Sequence, residues 1–294
     1  MTNCSIAELT DRTALRVTGD DAHKFLQDVV TNDVTKAVDG KAVHAALLTP
    51  QGKILFDFFL LDRGDDVLLE CNRATVSELI KRLMFYRLRA AVEFEDLSND
   101  IKVWATWNGE PACGDDAIKF ADPRFEALGF RIIAPASDEM SDCGCTPVGE
   151  DAYHAHRIAQ GVPEAGKDYA LGETFPHEAD YDQLAGVDFH KGCYVGQEVV
   201  SRVQHRGTAR KRIVPVRGSS DLTAGEQVSG GGSDIGVIGS VAGKRGLAMI
   251  RLDRAEKNLS KGETLHAGDV EISLQQPDWA SFDVPSSKNP GAAQ

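Results

Sequence analysis

Residues 190–198 read His-Lys-Gly-Cys-Tyr-Val-Gly-Gln-Glu, a segment that places one thiol between a lysine and a tyrosine. Gly192 and Gly196 allow the backbone to turn sharply or to approach a ligand closely. A helix that starts near Gly196 and runs through Arg202 would direct backbone N–H groups toward Cys193, and such a positive neighbourhood favours the thiolate. Cys193 is therefore a candidate reactive thiol. The alternative is a small buried apolar side chain, which is how most free cysteines behave.

The first half of the chain has an α+β pattern. Apolar residues spaced for a helix follow Asp20, which is a candidate cap, and a second helix is expected after a capping box at 75–78. The predicted buried face of this second helix consists of Val76, Leu79, Ile80, Leu83 and Met84. Between the two helices, the turn Pro50-Gln51-Gly52 joins strands at 45–48 and 54–61 into a hairpin. These elements do not alternate as they do in a parallel α/β sheet.

The second half changes character. A third helix is predicted over 150–160, ended by Gly161, and an irregular stretch of the kind that often carries function follows over 162–190. From Lys211 onward, short strands separated by glycine-rich turns predict a small barrel or sandwich. The tail from Asp283 lacks core residues and is expected to be disordered.

Composition excludes several classes of protein. The 294 residues carry a net charge of 32 − 45 = −13, and such a surface repels nucleic-acid phosphates. No apolar run reaches the roughly 18–20 residues that a membrane span needs. The N-terminus, MTNCSIAELTDR, has no basic region followed by an apolar core. We therefore expect a cytoplasmic protein that binds neither nucleic acid nor membrane.

The six cysteines are scattered, a distribution that favours free thiols over a disulfide framework. Cys143 and Cys145 form the one close pair, and no second pair completes a four-ligand metal site. We predict no metal centre.

The segment KGCYVGQE at 191–198 resembles the signature of the YgfZ-like proteins and their mitochondrial iron–sulfur maturation relatives, a branch of the glycine-cleavage T-protein (aminomethyltransferase) superfamily. Four flanking segments also resemble that superfamily: VTGDDAHKFLQDVVTNDV at 17–34, TPQGKILFDF at 49–58, KRLMFYRLR at 81–89 and GVPEAGKDY at 161–169. The resemblance covers most of residues 10–250.

This resemblance implies an α+β fold, a three-domain cloverleaf of two intertwined α+β domains and a C-terminal antiparallel β-barrel. The expected domains are 1–45 with 145–208, then 46–144, then the barrel at 209–282, with 283–294 as a tail. The family also implies a reduced folate, tetrahydrofolate or a one-carbon derivative, bound at the centre.

The resemblance also implies roles for particular residues. Glu198 would hold the pterin, because a carboxylate can accept hydrogen bonds from its amino and ring N–H groups. Asp57 interrupts an apolar strand and would act near the reacting edge of the folate, unless it simply faces water. The remaining motif residues expected at the folate pocket are Lys191, Gly192, Tyr194, Gly196 and Gln197.

The basic stretch 202–212 has two interpretations, a solvated hairpin or strand edge, or an anion site. In the second, Arg202 and Arg206 would form an electropositive rim near the glutamate tail of the folate.

The leading functional hypothesis is a tetrahydrofolate-binding factor that assists assembly or repair of iron–sulfur enzymes through Cys193, with client enzymes or assembly factors as partners. One alternative is a folate-dependent aminomethyltransferase or related C1-transfer enzyme, which would depend on Asp57 more than on Cys193. Another is a folate-sensing module without chemistry. The family's aminomethyltransferases lack this cysteine, so the sequence leaves open whether the protein is an enzyme.

Overall fold

A computed structural model describes the protein over residues 4–206 and 209–286, with the side chain of Arg206 also outside the described part. The chain divides into two compact units, each built from separate stretches of sequence. The first unit runs to Tyr153 and includes Leu184–Ser201. The second comprises His154–Gln183 and the residues from Arg202 onward.

The first unit contains a five-stranded antiparallel sheet in the order β3-β4-β5-β2-β6. Its strands are β2 (Arg12–Thr18), β3 (Val43–Leu48), β4 (Ile54–Asp62), β5 (Asp66–Asn72) and β6 (Glu93–Asp96). Two helices, α1 (Ala22–Val29) and α2 (Val76–Arg87), pack on one face of this sheet through a shared apolar core.

A second sheet lies in the same unit, in the order β10-β1-β7-β9-β8. Its strands are β1 (Ser5–Glu8), β7 (Ile101–Trp107), β8 (Ile118–Ala121), β9 (Phe130–Pro135) and β10 (Thr146–Pro147). The pairing of β1 with β10 is parallel, and the other pairings are antiparallel.

Strand β4 explains why the run ILFDFFLL is almost continuously apolar. Alternate side chains of a strand point to opposite faces, so Phe58 and Leu60 join the core under the helices. Phe59 and Leu61 join a second core with residues of the other sheet. Because both faces are buried, the usual apolar–polar alternation is missing.

The second unit is dominated by a closed six-stranded barrel in the order β11-β14-β13-β12-β15-β16. Its strands are β11 (Lys211–Gly218), β12 (Gln227–Gly230), β13 (Ser233–Ala242), β14 (Arg245–Arg251), β15 (Leu265–Ala267) and β16 (Val270–Leu274), with α5 (Leu252–Leu259) packed beside them. Val284, in the tail expected to be disordered, packs against the barrel core. Residues 287–294 of that tail lie outside the described part.

Two further helices cross the division between the units, α3 (Glu150–Ala159) and α4 (Gln197–Arg206). The predicted helix ending at Gly161 is confirmed, since Gly161 has a φ of 75°. Among the described residues, no helix is both long enough and apolar enough to span a bilayer.

The predicted cap residue is wrong for α1, whereas at α2 the predicted N-cap position, Thr75, is correct but its capping bond is missing. The cap of α1 is Asp21 rather than Asp20, and its Oδ2 accepts a hydrogen bond from Ala91 N at 2.8 Å instead of one from its own helix. Thr75 makes no capping bond at α2 because its hydroxyl donates to Asn72 O at 3.4 Å. The predicted buried face of α2 holds except at Met84, which is 51% exposed.

A buried histidine, His44, connects strand β3 by a hydrogen bond to Leu184, the first residue of the segment Leu184–Ser201. His44 Nδ1 lies 2.9 Å from Leu184 O and therefore carries the proton that it donates. Burial lowers the pKa of His44 to about 4, against the opposing effect of the Leu184 carbonyl. The folded protein thus keeps His44 neutral where an unfolded chain, with a pKa near 6.5, would protonate it.

We predict that this histidine makes the folded state less stable as the pH falls from about 6.5 to 4, by up to about 3 kcal/mol. The unfolded state binds a proton in this window and the folded state does not. His44→Gln keeps a donor but cannot titrate, so its free energy of unfolding should fall less steeply with acid. Urea unfolding of both proteins at pH 7, 5.5 and 4.5 measures the difference. Parallel curves would contradict the prediction.

Candidate functional site: a thiol between two buried anchors

The loop that precedes Cys193 is fixed by an aspartate. Asp188 Oδ1 accepts hydrogen bonds from the backbone N–H of His190 at 2.7 Å and of Lys191 at 3.2 Å. Its Oδ2 lies 2.7 Å from Lys36 Nζ. Burial acts to raise the pKa of Asp188, but the bonds from Lys36 and the two amides outweigh it and keep the pKa below its usual value.

Lys191 forms the first anchor. Its Nζ donates to the backbone carbonyls of Gln27 at 2.7 Å, Val30 at 2.6 Å and Asn32 at 2.9 Å. These carbonyls lie at and just beyond the C-terminal end of α1, where backbone oxygens lack helical partners and a positive charge is favoured. The last turn of α1 has no basic residue of its own, so Lys191 supplies that charge from a distant part of the chain.

The ammonium group has three protons, and three carbonyl oxygens accept them. Burial lowers the pKa of Lys191 to about 8, opposed by Asp33, Asp188 and Asp28. All three donors of Lys191 are thus directed at α1 and the residues just after it, and none is directed at Cys193.

Tyr194 and Gly196 form the second anchor. Tyr194 is buried, with Lys191 Nζ 5.4 Å from its ring centroid, and burial raises the pKa of the phenol to about 12. Gly196 has a φ of 80°, and a Cβ there would lie 2.6 Å from Thr49 O and 3.0 Å from Gly52 Cα. Only glycine fits so close to the β3–β4 turn.

Gly192 and Cys193 lie between these anchors, and both are exposed. The alternative of a buried, structural Cys193 is therefore wrong. Two buried side chains, Lys191 and Tyr194, hold the backbone on either side while the thiol faces solvent. This arrangement is suited to a cysteine that meets another molecule.

Helix α4 begins directly after the second anchor, confirming the helix predicted from Gly196. Gln197 is half-buried, whereas Glu198 lies exposed in the first turn. Arg202 is also exposed and follows Glu198 by one helical turn, so the two side chains emerge from the same helix face.

Arg212 does not belong to a solvated basic hairpin. It is buried, and its guanidinium binds Asp180 at 3.0 Å and Asp182 at 2.8 Å.

Asp57 lies on β4, on the face that is turned away from α1 and α2. Its side chain is 13% exposed, and its Oδ2 is 3.9 Å from Arg12 Nη1. Arg12 also donates through Nε to Glu70 Oε1 at 2.5 Å and through Nη2 to the Glu70 carbonyl at 3.1 Å. Asp57 is therefore held in an ion-pair cluster and is not the solvated strand residue of the simpler interpretation.

Sequence reasoning missed the rest of the buried charge in this unit. Asp122 pairs with Arg124 at 2.8 Å and Arg131 at 3.4 Å, and both arginines also donate to Tyr153 Oη. Burial would raise the pKa of Asp122, but the two guanidinium groups lower it to about 2. Arg131, inside the apolar segment 130–134, was the available signal, because an arginine inside a buried strand needs an acidic partner.

The prediction of free thiols is wrong for two cysteines. Cys4, directly before β1, and Cys145, directly before β10, form a disulfide. Cys143 is buried beside them and Cys113 is half-buried. Within residues 4–206 and 209–286, no three His, Cys, Asp or Glu side chains are arranged to hold a metal ion.

Comparison with known proteins defines the class to which this fold and site belong. The GCVT N-terminal domain family matches residues 1–107, and the CAF17 C-terminal β-barrel domain family matches residues 210–282. The fold is similar to that of the glycine cleavage system aminomethyltransferase T from Bartonella henselae, with a TM-score of 0.75 over 97% of this chain and 88% of that chain, at 15% identity. The predicted T-protein-like α+β fold with a C-terminal antiparallel barrel is confirmed.

The sequence relatives are more specific. The human iron–sulfur cluster assembly factor IBA57, mitochondrial, is 33% identical over 92% of this chain and 84% of its own length. The IBA57 homologue of Neurospora crassa is 32% identical over 71% of this chain, and the match spans about half (53%) of its own length. The protein belongs to the IBA57 family of iron–sulfur cluster assembly factors. The resemblance is thus confirmed for the superfamily and its mitochondrial iron–sulfur branch, but not for YgfZ itself.

The expected cytoplasmic location is contradicted by these comparisons. The relatives from human, Neurospora crassa and Mycosarcoma maydis are all named as mitochondrial proteins. The composition of a short terminal segment was too weak a basis for that expectation.

Proposed function

We propose that this protein assists iron–sulfur cluster assembly and that it works through Cys193. The observation that carries the proposal is an exposed thiol between two buried anchors, Lys191 and Tyr194. Relatives that match most of the chain are named as iron–sulfur cluster assembly factors, which supports the same role here.

The chemistry of the thiol fits this role. Thiolate sulfur is the usual protein ligand of iron in iron–sulfur clusters, and a cluster generally needs four protein ligands. Cys145 is tied into a disulfide and Cys143 is buried, so neither can add to Cys193 as this chain is folded. Cys193 would therefore act on a cluster that a client enzyme or another assembly factor also holds.

We further propose that tetrahydrofolate, or a one-carbon derivative, binds beside this loop. The side chains of helix α4 fit a reduced folate. The exposed Glu198 carboxylate can accept hydrogen bonds from the N–H groups of the pterin ring, and the exposed Arg202 can pair with a carboxylate of the folate tail. The folate would supply a one-carbon carrier. Gly192 and Gln197 would contact it, while Lys191, Tyr194 and Gly196 would position the loop.

A second candidate is C1 transfer to tetrahydrofolate, favoured by the aminomethyltransferase-like fold and by Asp57. Arg12 fixes the Asp57 carboxylate from one side, which would orient it toward a bound one-carbon group. Turnover of an aminomethyl donor in vitro, lost in Asp57→Asn and kept in Cys193→Ser, would establish this activity. Absence of turnover in the parent protein would reject it.

The folate proposal predicts that Glu198→Ala weakens tetrahydrofolate binding at least 10-fold, because the pterin N–H groups lose their charged acceptor. Anaerobic calorimetric titration of the parent and the variant measures the change. Glu256→Ala, which removes an exposed glutamate from helix α5, is the matched control and should bind like the parent. Equal affinity of parent and Glu198→Ala would show that Glu198 does not hold the pterin.

The cysteine proposal predicts that Cys193→Ser folds normally but lowers the activity of iron–sulfur enzymes in cells that depend on this protein. Serine keeps the shape of an exposed side chain but is a poor ligand for iron. Cys113→Ser, which alters a half-buried thiol outside the loop, should leave those enzymes active. If cells carrying Cys193→Ser kept full cluster-enzyme activity, the proposed role of the thiol would be wrong.

A further inference from the structure

Helix α2 carries a second apolar surface that faces solvent. Met84, Phe85 and Leu88 are 51%, 71% and 87% exposed, respectively. We call these three side chains the α2 patch. Met84 and Phe85 lie on a different side of the helix from Val76, Leu79 and Leu83, which are buried in the core, and Leu88 directly follows the helix. The α2 patch is therefore not needed to attach the helix to its sheet.

The backbone at the end of the α2 patch has an unusual conformation. Leu88 follows the last residue of α2 and has a φ of 48°, a left-handed conformation that is unfavourable for a leucine. Tyr86, which lies between Phe85 and Leu88, packs against the core. Phe85 meets the Tyr86 ring edge-on, with centroids 5.4 Å apart.

Basic side chains surround the α2 patch. Lys81, Arg82 and Arg89 are all exposed. Lys81 binds Glu78 at 2.7 Å within the same helix. Neither Arg82 nor Arg89 has an acidic partner among the described residues. In a chain with net charge −13, this is a local reversal of sign around an apolar centre.

A helix that offers apolar anchors over one to two turns, with charges at their rim, is the arrangement recognised by a groove on another protein. Aromatic and methionine side chains are enriched at the centres of such interfaces, and rim charges select the partner. We infer that the α2 patch docks a partner protein through an apolar groove bordered by carboxylates.

Other occupants fit the patch less well. Two copies of this chain meeting symmetrically would place Arg82 and Arg89 of one against the same residues of the other, and like charges repel. An anionic membrane or a nucleic acid carries negative charge over an area much wider than the patch, so it would also face the acidic remainder of a chain with net charge −13, whereas a local groove would face only the patch. A carboxylate-bordered groove satisfies both the apolar and the basic parts.

The test begins with a photo-crosslinking amino acid, p-benzoylphenylalanine, placed at position 85 of the full-length protein in its native cells. The same residue at position 38 is the control, because Val38 is also an exposed apolar side chain, at 49%, but lies outside α2. The protein crosslinked at position 85 is identified by mass spectrometry, and the crosslink is mapped on its surface. The partner protein is then purified, and its affinity for the parent and for each variant is measured by titration.

We expect the probe at position 85 to crosslink to one acidic surface groove of a partner protein, and the probe at position 38 not to crosslink there. The triple variant Met84→Ser, Phe85→Ser, Leu88→Ser should weaken binding of the purified partner at least 10-fold, and Arg82→Glu with Arg89→Glu at least 3-fold. Val38→Ser should bind like the parent. Thermal unfolding of each variant confirms that the fold is kept, since all the substituted side chains are exposed.

Several outcomes would overturn the inference. These are crosslinking to a second copy of the chain, crosslinking to lipid, no crosslink above that at position 38, and a mapped partner whose affinity does not change in the triple variant. The test does not involve Cys193 or folate. A failure here is therefore distinguishable from a failure of the proposed function.

Discussion

The ammonium group of Lys191, bound by three backbone carbonyls at the end of α1, is the contact on which the candidate site depends. It joins two stretches that are about 160 residues apart in sequence, satisfying α1 carbonyls and fixing the loop in one step. A buried lysine is tolerated only when its charge is fully hydrogen-bonded. The loop beyond it therefore has little freedom, and Cys193 is held at the surface rather than carried on a flexible segment.

Glycine contributes at the other side of the thiol. Gly196 and Gly52 approach so closely that a side chain at either position would collide, Gly196 with Thr49 O and Gly52 with Val199. The hairpin turn of the first sheet thus seats the start of α4. In the motif KGCYVGQE, the anchors at Lys191 and at Tyr194 with Gly196 thus fix the backbone on either side of the exposed Gly192 and Cys193. Helix α4 follows and presents Glu198 and Arg202.

Several features could be predicted because they depend on local pattern. The helices near residues 22, 76 and 150, the β3–β4 hairpin and the all-β end follow from apolar periodicity and turn residues. Strand β2 was not predicted, because Arg12 and Arg16 make it look polar until their carboxylate partners Glu70 and Glu95 are known. Strand β1, which has only four residues, was not predicted either. The Cys4–Cys145 disulfide spans 141 residues, and no local pattern indicates such a pairing. Met84 fits the buried helical stripe by spacing, yet it lies at the edge of that stripe and remains exposed.

The most direct test of this account is hydrogen–deuterium exchange of the peptide covering residues 187–197 in Lys191→Met. This variant leaves three carbonyls without the donor that Lys191 supplies, and a buried acceptor without its partner costs about 1–3 kcal/mol of folding free energy. Amide exchange in the loop should therefore be at least 10-fold faster than in the parent. Lys36→Met removes a half-exposed ammonium group from the buried Asp188, which keeps its hydrogen bonds from the amides of His190 and Lys191. Exchange should therefore rise less than in Lys191→Met, and barrel peptides should be unaffected in both. Equal loop protection in Lys191→Met and the parent would contradict the claim that Lys191 holds Cys193 in place.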